Sequence, residues 1–212
     1  MKNETEKTQP LYVADARDQR NFEPFVEYFQ NCKNGLEIAS GQGFFLDRVK
    51  AAGGIMTGVE IDSELCAQVQ KRGLTIHQQD FFKFLENSPD SCFDGCMAAH
   101  IIEHFMPPDA VRLLTLLHRT MTASAPLVII TPNIANLRKA AGDFWRDPTH
   151  VRPYPFQALE KLFKMTGWKM IKSGEHSDRN LSVSLKLRYS LRNALFGKYW
   201  VGEAVFAIAV KQ

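Results

Sequence analysis

The sequence has no apolar run long enough to cross a bilayer, and its opening MKNETEKTQP is polar and charged, without the apolar core of a signal peptide. Membrane-spanning and exported classes are therefore not expected, and a cytoplasmic protein is. Cysteine is scarce: Cys32, Cys66, Cys92 and Cys96 are scattered through strand, helix and loop segments, so reduced thiols are expected in place of a disulfide framework. An excess of one charge is also lacking. The formal net charge of +3 over 212 residues decides nothing by itself, and no nucleic-acid partner is expected. What remains is an ordinary apolar share, enough for a globular core, and a length that predicts one domain over 1–212. Within it the reading is an N-terminal helical segment to 33, a core over 34–175, a basic insertion over 176–202 and a last strand over 203–212.

The chain is organised around 35–62, GLEIASGQGFFLDRVKAAGGIMTGVEID. Leu36 to Ala39 are compact and largely apolar, as in a parallel strand buried on both faces, and Gly41 and Gly43 allow a sharp exit. Phe45, Leu46, Val49 and Ala52 then fall on one helical stripe, Gly53-Gly54 ends the helix, and Ile55 to Val59 restart a strand with Glu60 at its carboxyl end. A βαβ unit of this kind sets the glycine turn beside Glu60 at the sheet edge where open α/β sheets bind ligands, and the acid can accept hydrogen bonds from ribose hydroxyls. A dinucleotide fingerprint needs a third glycine. Counting from Gly41 that place holds Leu46, and counting from Ala39 it holds Phe44, so a pyrophosphate is poorly cradled.

Helix and strand keep alternating. An amphipathic stretch over Phe22 to Phe29 precedes the unit, and Ser63 is a plausible cap for a helix burying Leu65, Cys66 and Val69. Leu74 to Gln79 predict a third strand with Asp80 and Phe81 at its end, and Ala125 to Thr131 another, ending in Thr131-Pro132-Asn133. Cys92, Cys96, His100 and His104 recur every fourth position, and His100, Glu103 and His104 spell H-x-x-E-H, a zinc-hydrolase string when carried on a helix. Phe93 to Ala99 instead predict a strand, along which about 3.3 Å per residue parts the two thiols, and Pro107-Pro108 leave little helix; no metal is expected. The segment 134–155 lacks a period, which marks it as functional or mobile. Its His150, beside Asp147 and Arg152, is a candidate general base, with Asp147 orienting the ring. The basic residues Arg179, Lys186, Arg188, Arg192 and Lys198 make 176–202 a solvated face, a lid for an anionic acceptor or a homodimer contact.

Glu37-Ile38-Ala39-Ser40-Gly41-Gln42-Gly43 resembles the first motif of class I S-adenosylmethionine-dependent methyltransferases, with Ala39 standing where that family most often has its first glycine. Phe93-Asp94, Glu103-His104-Phe105 and Thr131-Pro132-Asn133 resemble later motifs of the same family. Asp147, Pro148, His150 and Arg152 match a D-P-x-H-x-R string of its sugar- and lipopolysaccharide-directed members. The resemblance covers about 35–211 and implies a doubly wound α/β fold with a mostly parallel seven-stranded sheet and an antiparallel last strand. It implies S-adenosylmethionine as cofactor, S-adenosylhomocysteine as product, and a small-molecule or saccharide-type acceptor. By the same resemblance Glu37 reaches the amino-acid end of the cofactor, and Ala39, Gly41 and Gly43 line it. Glu60 takes the ribose with Ile61 beside it, and Asp80 and Phe81 serve the adenine. Ala98, Ala99 and His100 flank the sulfonium, and Glu103, His104 and His150 are the catalytic candidates. The rival readings are the zinc hydrolase and a nucleoside-binding module without turnover.

Overall fold

The computed structural model describes residues 22–136, 142–176 and 202–211, with the isolated helical positions 187, 190, 191, 194 and 195. The basic insertion expected over 176–202 and the polar opening decapeptide therefore lie largely or wholly outside the described residues. The strands are β1 (Gly35–Ile38), β2 (Met56–Glu60), β3 (Thr75–Gln78), β4 (Gly95–Ala99), β5 (Pro126–Pro132), β6 (Trp168–His176) and β7 (Ala204–Lys211). Between them run α1 (Phe44–Ala51), α2 (Ser63–Lys71), α3 (Phe81–Asn87), α4 (Pro107–Thr120) and α5 (Phe156–Met165).

All seven strands form one sheet in the order β3-β2-β1-β4-β5-β7-β6. The neighbouring pairs from β3 to β5 are parallel, and β7 lies antiparallel between β5 and β6. Sequence order reverses direction between β1 and β4, a switch point that opens a crevice at their carboxyl ends. This is the doubly wound α/β sheet, with its antiparallel last strand, that the methyltransferase resemblance implies.

Strand periodicity explains how both faces are covered. Leu36 and Ile38 of β1 join Cys96, Ala98, Leu127 and Ile129 in a layer closed by Leu113, Leu114 and Leu117 of α4 and Leu159 and Phe163 of α5. Met97, Val128, Ile130 and Ile208 face the other way, onto Phe45, Leu46 and Val49 of α1, Cys66 and Val69 of α2, and Phe25 and Phe29. The four residues of β1 are all buried, as a central parallel strand requires. Trp168, 2% exposed, satisfies its indole N–H by donating to the Leu114 carbonyl at 3.0 Å, which locks β6 to α4.

Local details differ from the sequence expectations in three places. The cap of α2 is Asp62, whose carboxylate accepts from the N–H groups of Glu64 and Leu65 at 2.8 and 3.0 Å, and Ser63 is the first helical residue. The Phe22 to Phe29 stretch forms a 3-10 helix over Glu23–Tyr28, entered through Pro24, that still buries Phe25 and Phe29. The sixth strand runs on to His176, with a register shift between Met170 and Lys172.

Candidate active site

At the carboxyl end of β1 the chain turns through left-handed residues: Ala39 at φ 49°, Gly41 at 51° and Gly43 at 66°. The turn is closed by Ser40 N–H donating to the Val59 carbonyl at 3.2 Å and Gly43 N–H to the Ser40 carbonyl at 2.8 Å. A side chain at Ala39 in this conformation costs about 1–2 kcal/mol, which is the physical reason a glycine would suit the position better. A Cβ added at Gly41 would meet no heavy atom within 4 Å, so the backbone there borders open space that a ligand can enter.

Glu60 fixes this turn. Its Oε2 accepts from Gly41 N–H at 2.9 Å, and its Oε1 accepts from the N–H groups of Ile61 and Asp62 at 2.8 and 3.0 Å. A carboxylate offers about four acceptor positions, so the backbone uses three and one remains on Oε2. Glu37, 4% exposed, lies beneath the turn on the α1 side of the sheet, and its Oε2 has no hydrogen-bond partner among the described residues. Burial, reinforced by the nearby Glu60 carboxylate, pushes the Glu37 carboxyl well above the usual range, with the Leu46 backbone N–H partly opposing the shift.

The facing wall begins at the carboxyl end of β4. His100 also adopts a left-handed backbone, φ 52°, with its N–H donating to the Ile130 carbonyl at 2.8 Å. Glu103 and His104 follow in a 3-10 turn over Ile102–His104, so the H-x-x-E-H string is not carried on an α-helix, and Cys96 lies within β4 while Cys92 precedes it. That removes the geometry of the zinc-hydrolase reading. Glu103 is fully buried; its Oε2 accepts from the Thr131 hydroxyl at 3.0 Å, and His100 Nδ1 stands 3.4 Å from its Oε1. Thr131, noted in the sequence only as part of a string, is thus the hydroxyl that orients Glu103.

The 143–150 segment closes over this wall. The carbonyl of Glu103 accepts from the N–H groups of both Val151 and Arg152, pinning the segment's end. His150 Nδ1 lies 2.7 Å from the Phe144 carbonyl, which makes Nδ1–H the donor and leaves the Nε2 lone pair towards Glu103 Oε1, 4.0 Å away. Asp147 Oδ2 is 3.9 Å from the same Nε2, so the ring is oriented by Phe144 and not by the carboxylate expected to do it. Asp147 instead accepts from the hydroxyl and N–H of Thr149. Although burial opposes the shift, those bonds, with help from His150 and His104, hold its carboxyl below the usual carboxylate range. Thr149 Oγ1, its own proton given to Asp147, accepts from His104 Nδ1 at 2.9 Å.

Between the two walls is a cleft of about 710 Å³. Of the site residues expected from sequence it brings together Ala39, Gly41, Glu60, Ile61, His100, His104 and His150, with Asp62, Leu65, Asp143, Arg146 and Thr149 as additions no motif signalled. Glu37, Gly43, Ala98, Ala99 and Glu103 are packed beneath or beside it and do not line it. Asp80 and Phe81 are not brought to the cleft either. Asp80 caps α3, accepting from Lys83 N–H at 3.0 Å, and Phe81 packs edge-on against Phe105 at 5.9 Å between centroids.

The sequence pattern of a methyltransferase-domain family matches residues 11–173, and the chain belongs to that family. Among solved structures, a SAM dependent methyltransferase from Archaeoglobus fulgidus shares 24% identity over 92% of this chain and 95% of its own, with a TM-score of 0.78. A putative methyltransferase from Bacillus halodurans C-125 aligns over 92% of this chain and 98% of its own at 16% identity and a TM-score of 0.66. Magnesium protoporphyrin IX methyltransferase from Synechocystis PCC 6803, solved with bound SAM, aligns over 92% of this chain and 80% of its own at 12% identity and a TM-score of 0.63. No protein of curated function matches the sequence. The chain is a methyltransferase.

Proposed function

We propose that the chain moves the methyl group of S-adenosylmethionine to an oxygen of a small-molecule or saccharide-type acceptor, releasing S-adenosylhomocysteine. The observation that carries this reading is one cleft with two unlike walls. One wall has an open glycine backbone tied to a carboxylate, and the other has a buried carboxylate flanked by imidazoles.

The residues present fit the cofactor. The unpartnered Oε2 of Glu37 suits a ligand ammonium group, the open side of Gly41 suits close approach, and the remaining acceptor position on Glu60 suits a ribose hydroxyl. Ile61, 68% exposed at the cleft, offers apolar surface to a base. When bound, S-adenosylmethionine supplies an electrophilic methyl on a sulfonium that departs as a neutral thioether. The chain's own work is to hold the acceptor oxygen in line, a positioning effect worth up to roughly 7–11 kcal/mol, and to help that oxygen shed its proton as the O–C bond forms. We assign that help to Glu103, His104 and His150, a reading supported by the proximity of one electron-rich atom from each, all within 4.8 Å of one another.

The test is transfer of labelled methyl from S-adenosylmethionine to a panel of sugars, sugar nucleotides and small hydroxy acids. Label is expected on an oxygen of one acceptor class. Absence of S-adenosylmethionine binding by calorimetry would sink the cofactor assignment, and label found only on nitrogen or carbon would sink the oxygen assignment.

A further inference from the structure

We propose that Glu103, His104 and His150 form a site for one divalent transition-metal ion at the acceptor side of the cleft. One ligand atom from each side chain lies within 4.8 Å of the others. A point no more than about 2.8 Å from all three then exists, and about 0.7 Å of side-chain movement reaches the bond lengths of about 2.0–2.2 Å that a bound ion needs. Two imidazoles and one carboxylate are a donor set for zinc, iron(II), cobalt(II) or manganese(II), with further coordination positions left open.

The surroundings are those of ligands held for a cation. Glu103 Oε1 is fully buried and accepts no hydrogen bond among the described residues, its nearest basic neighbour being His100 Nδ1 at 3.4 Å, while its Oε2 is occupied by Thr131 at 3.0 Å. Both rings engage a protein oxygen through Nδ1, His150 the Phe144 carbonyl at 2.7 Å and His104 the Thr149 hydroxyl and carbonyl at 2.9 and 3.2 Å. Metal-ligating histidines are oriented in this way, the second nitrogen donating to a protein oxygen so that the first keeps its lone pair. His150 Nε2 consequently meets Glu103 Oε1 across 4.0 Å as one electron-rich atom facing another, and a shared cation reconciles them. Because His104 and His150 also line the cleft, the open positions of the ion face the space assigned to the acceptor. An acceptor hydroxyl bound there would be more acidic, so that as the new O–CH3 bond forms and the S–CH3 bond breaks its proton passes to solvent in the open cleft, the three side chains serving as ligands to the ion. That last step rests on the oxygen-acceptor reading, whereas the metal site does not.

The test uses the 212-residue chain stripped by a chelator and dialysed, titrated with Co²⁺ in the absence of S-adenosylmethionine and of any acceptor. One ion per chain is expected, with visible d–d absorption, competed out by Zn²⁺. His104→Ala and His150→Ala should each weaken binding by at least about tenfold to a hundredfold, and His118→Ala, remote from the cleft, should not change it. Circular dichroism verifies that each variant is folded, and the half-buried His104 gives a second variant should loss of His150 disturb its segment. No saturable Co²⁺ binding, or binding unchanged in the folded His104→Ala and His150→Ala proteins, would overturn the site. Cofactor binding measured separately on the stripped protein tells that failure apart from failure of the methyltransferase reading.

Discussion

Replacing Glu37 by Gln tests the buried carboxyl that underlies the cofactor turn. Its side chain is 4% exposed, one of its oxygens lacks a partner among the described residues, and burial together with the Glu60 carboxylate raises its pKa well above the ordinary value. The folded protein therefore binds this proton more tightly than the unfolded chain does. Stability is fully present below the unfolded-state value of about 4.3 and declines as pH rises towards the folded-state value, at up to about 1.4 kcal/mol per pH unit. Gln has no proton to lose, so Glu37→Gln should remove that slope and be the more stable protein at neutral pH when no ligand is bound. Cofactor binding should move the other way, because a charge-assisted bond to the ligand's ammonium group worth roughly 1.5–3 kcal/mol is lost, raising the dissociation constant about 10- to 100-fold. Urea unfolding of both proteins between about pH 4 and 8, with calorimetric titration of S-adenosylmethionine at neutral pH, reads both effects. Parallel stability curves, or equal affinities, would refute the reasoning.

Ala39→Gly should relieve about 1–2 kcal/mol of left-handed strain against about 0.4–1 kcal/mol of extra chain entropy, a net gain of about 0–1.6 kcal/mol; a lower melting temperature would contradict it. Glu60→Ala should weaken S-adenosylmethionine binding about 10- to 100-fold and also cost about 1–3 kcal/mol of stability. The second effect follows because the N–H groups of Gly41, Ile61 and Asp62 lose their acceptor, and unchanged calorimetric affinity in the folded variant would remove Glu60 from the ribose role. Trp168→Phe should cost about 2–4 kcal/mol in urea unfolding, since the indole's bond to the Leu114 carbonyl, additional to that carbonyl's helical bond, is lost and the core gains a cavity, while cofactor affinity stays put. A loss under about 1 kcal/mol would mean that the site collapses around the smaller ring.

Periodicity alone determined most of the architecture. Alternating buried strands and amphipathic helices place Gly41 and Glu60 at neighbouring strand ends, because a right-handed βαβ crossover leaves few other arrangements. The same local logic could not place every side chain. Ser63 and Asp62 are both competent caps, and only the backbone bend into α2 decides which oxygen meets the free N–H groups. Asp80 and Phe81 sit at the end of β3 as their motif implies, and the structure adds that Asp80 Oδ1 caps α3 and the Phe81 ring packs on Phe105, contacts the pattern did not specify.

The acceptor wall is where sequence stopped. Cys92, Cys96, His100 and His104 would share a face only on a helix; the strand expected across them is present as β4 through Cys96, and the chain kinks at His100, so regular spacing gives no shared face. The cluster that does form draws Glu103 and His104 from the end of β4 and His150 from a segment without any period. Its assembly depends on hydrogen bonds that the strand pattern does not encode: Thr131 donates to Glu103, and the rings of His104 and His150 donate to Thr149 and to the Phe144 carbonyl. Residue type and order thus determined the sheet and the glycine turn, since those follow from backbone sterics and burial repeated along each element. The meeting of two imidazoles with a buried carboxylate was decided only by tertiary structure, since it depends on where a loop of irregular backbone comes to rest.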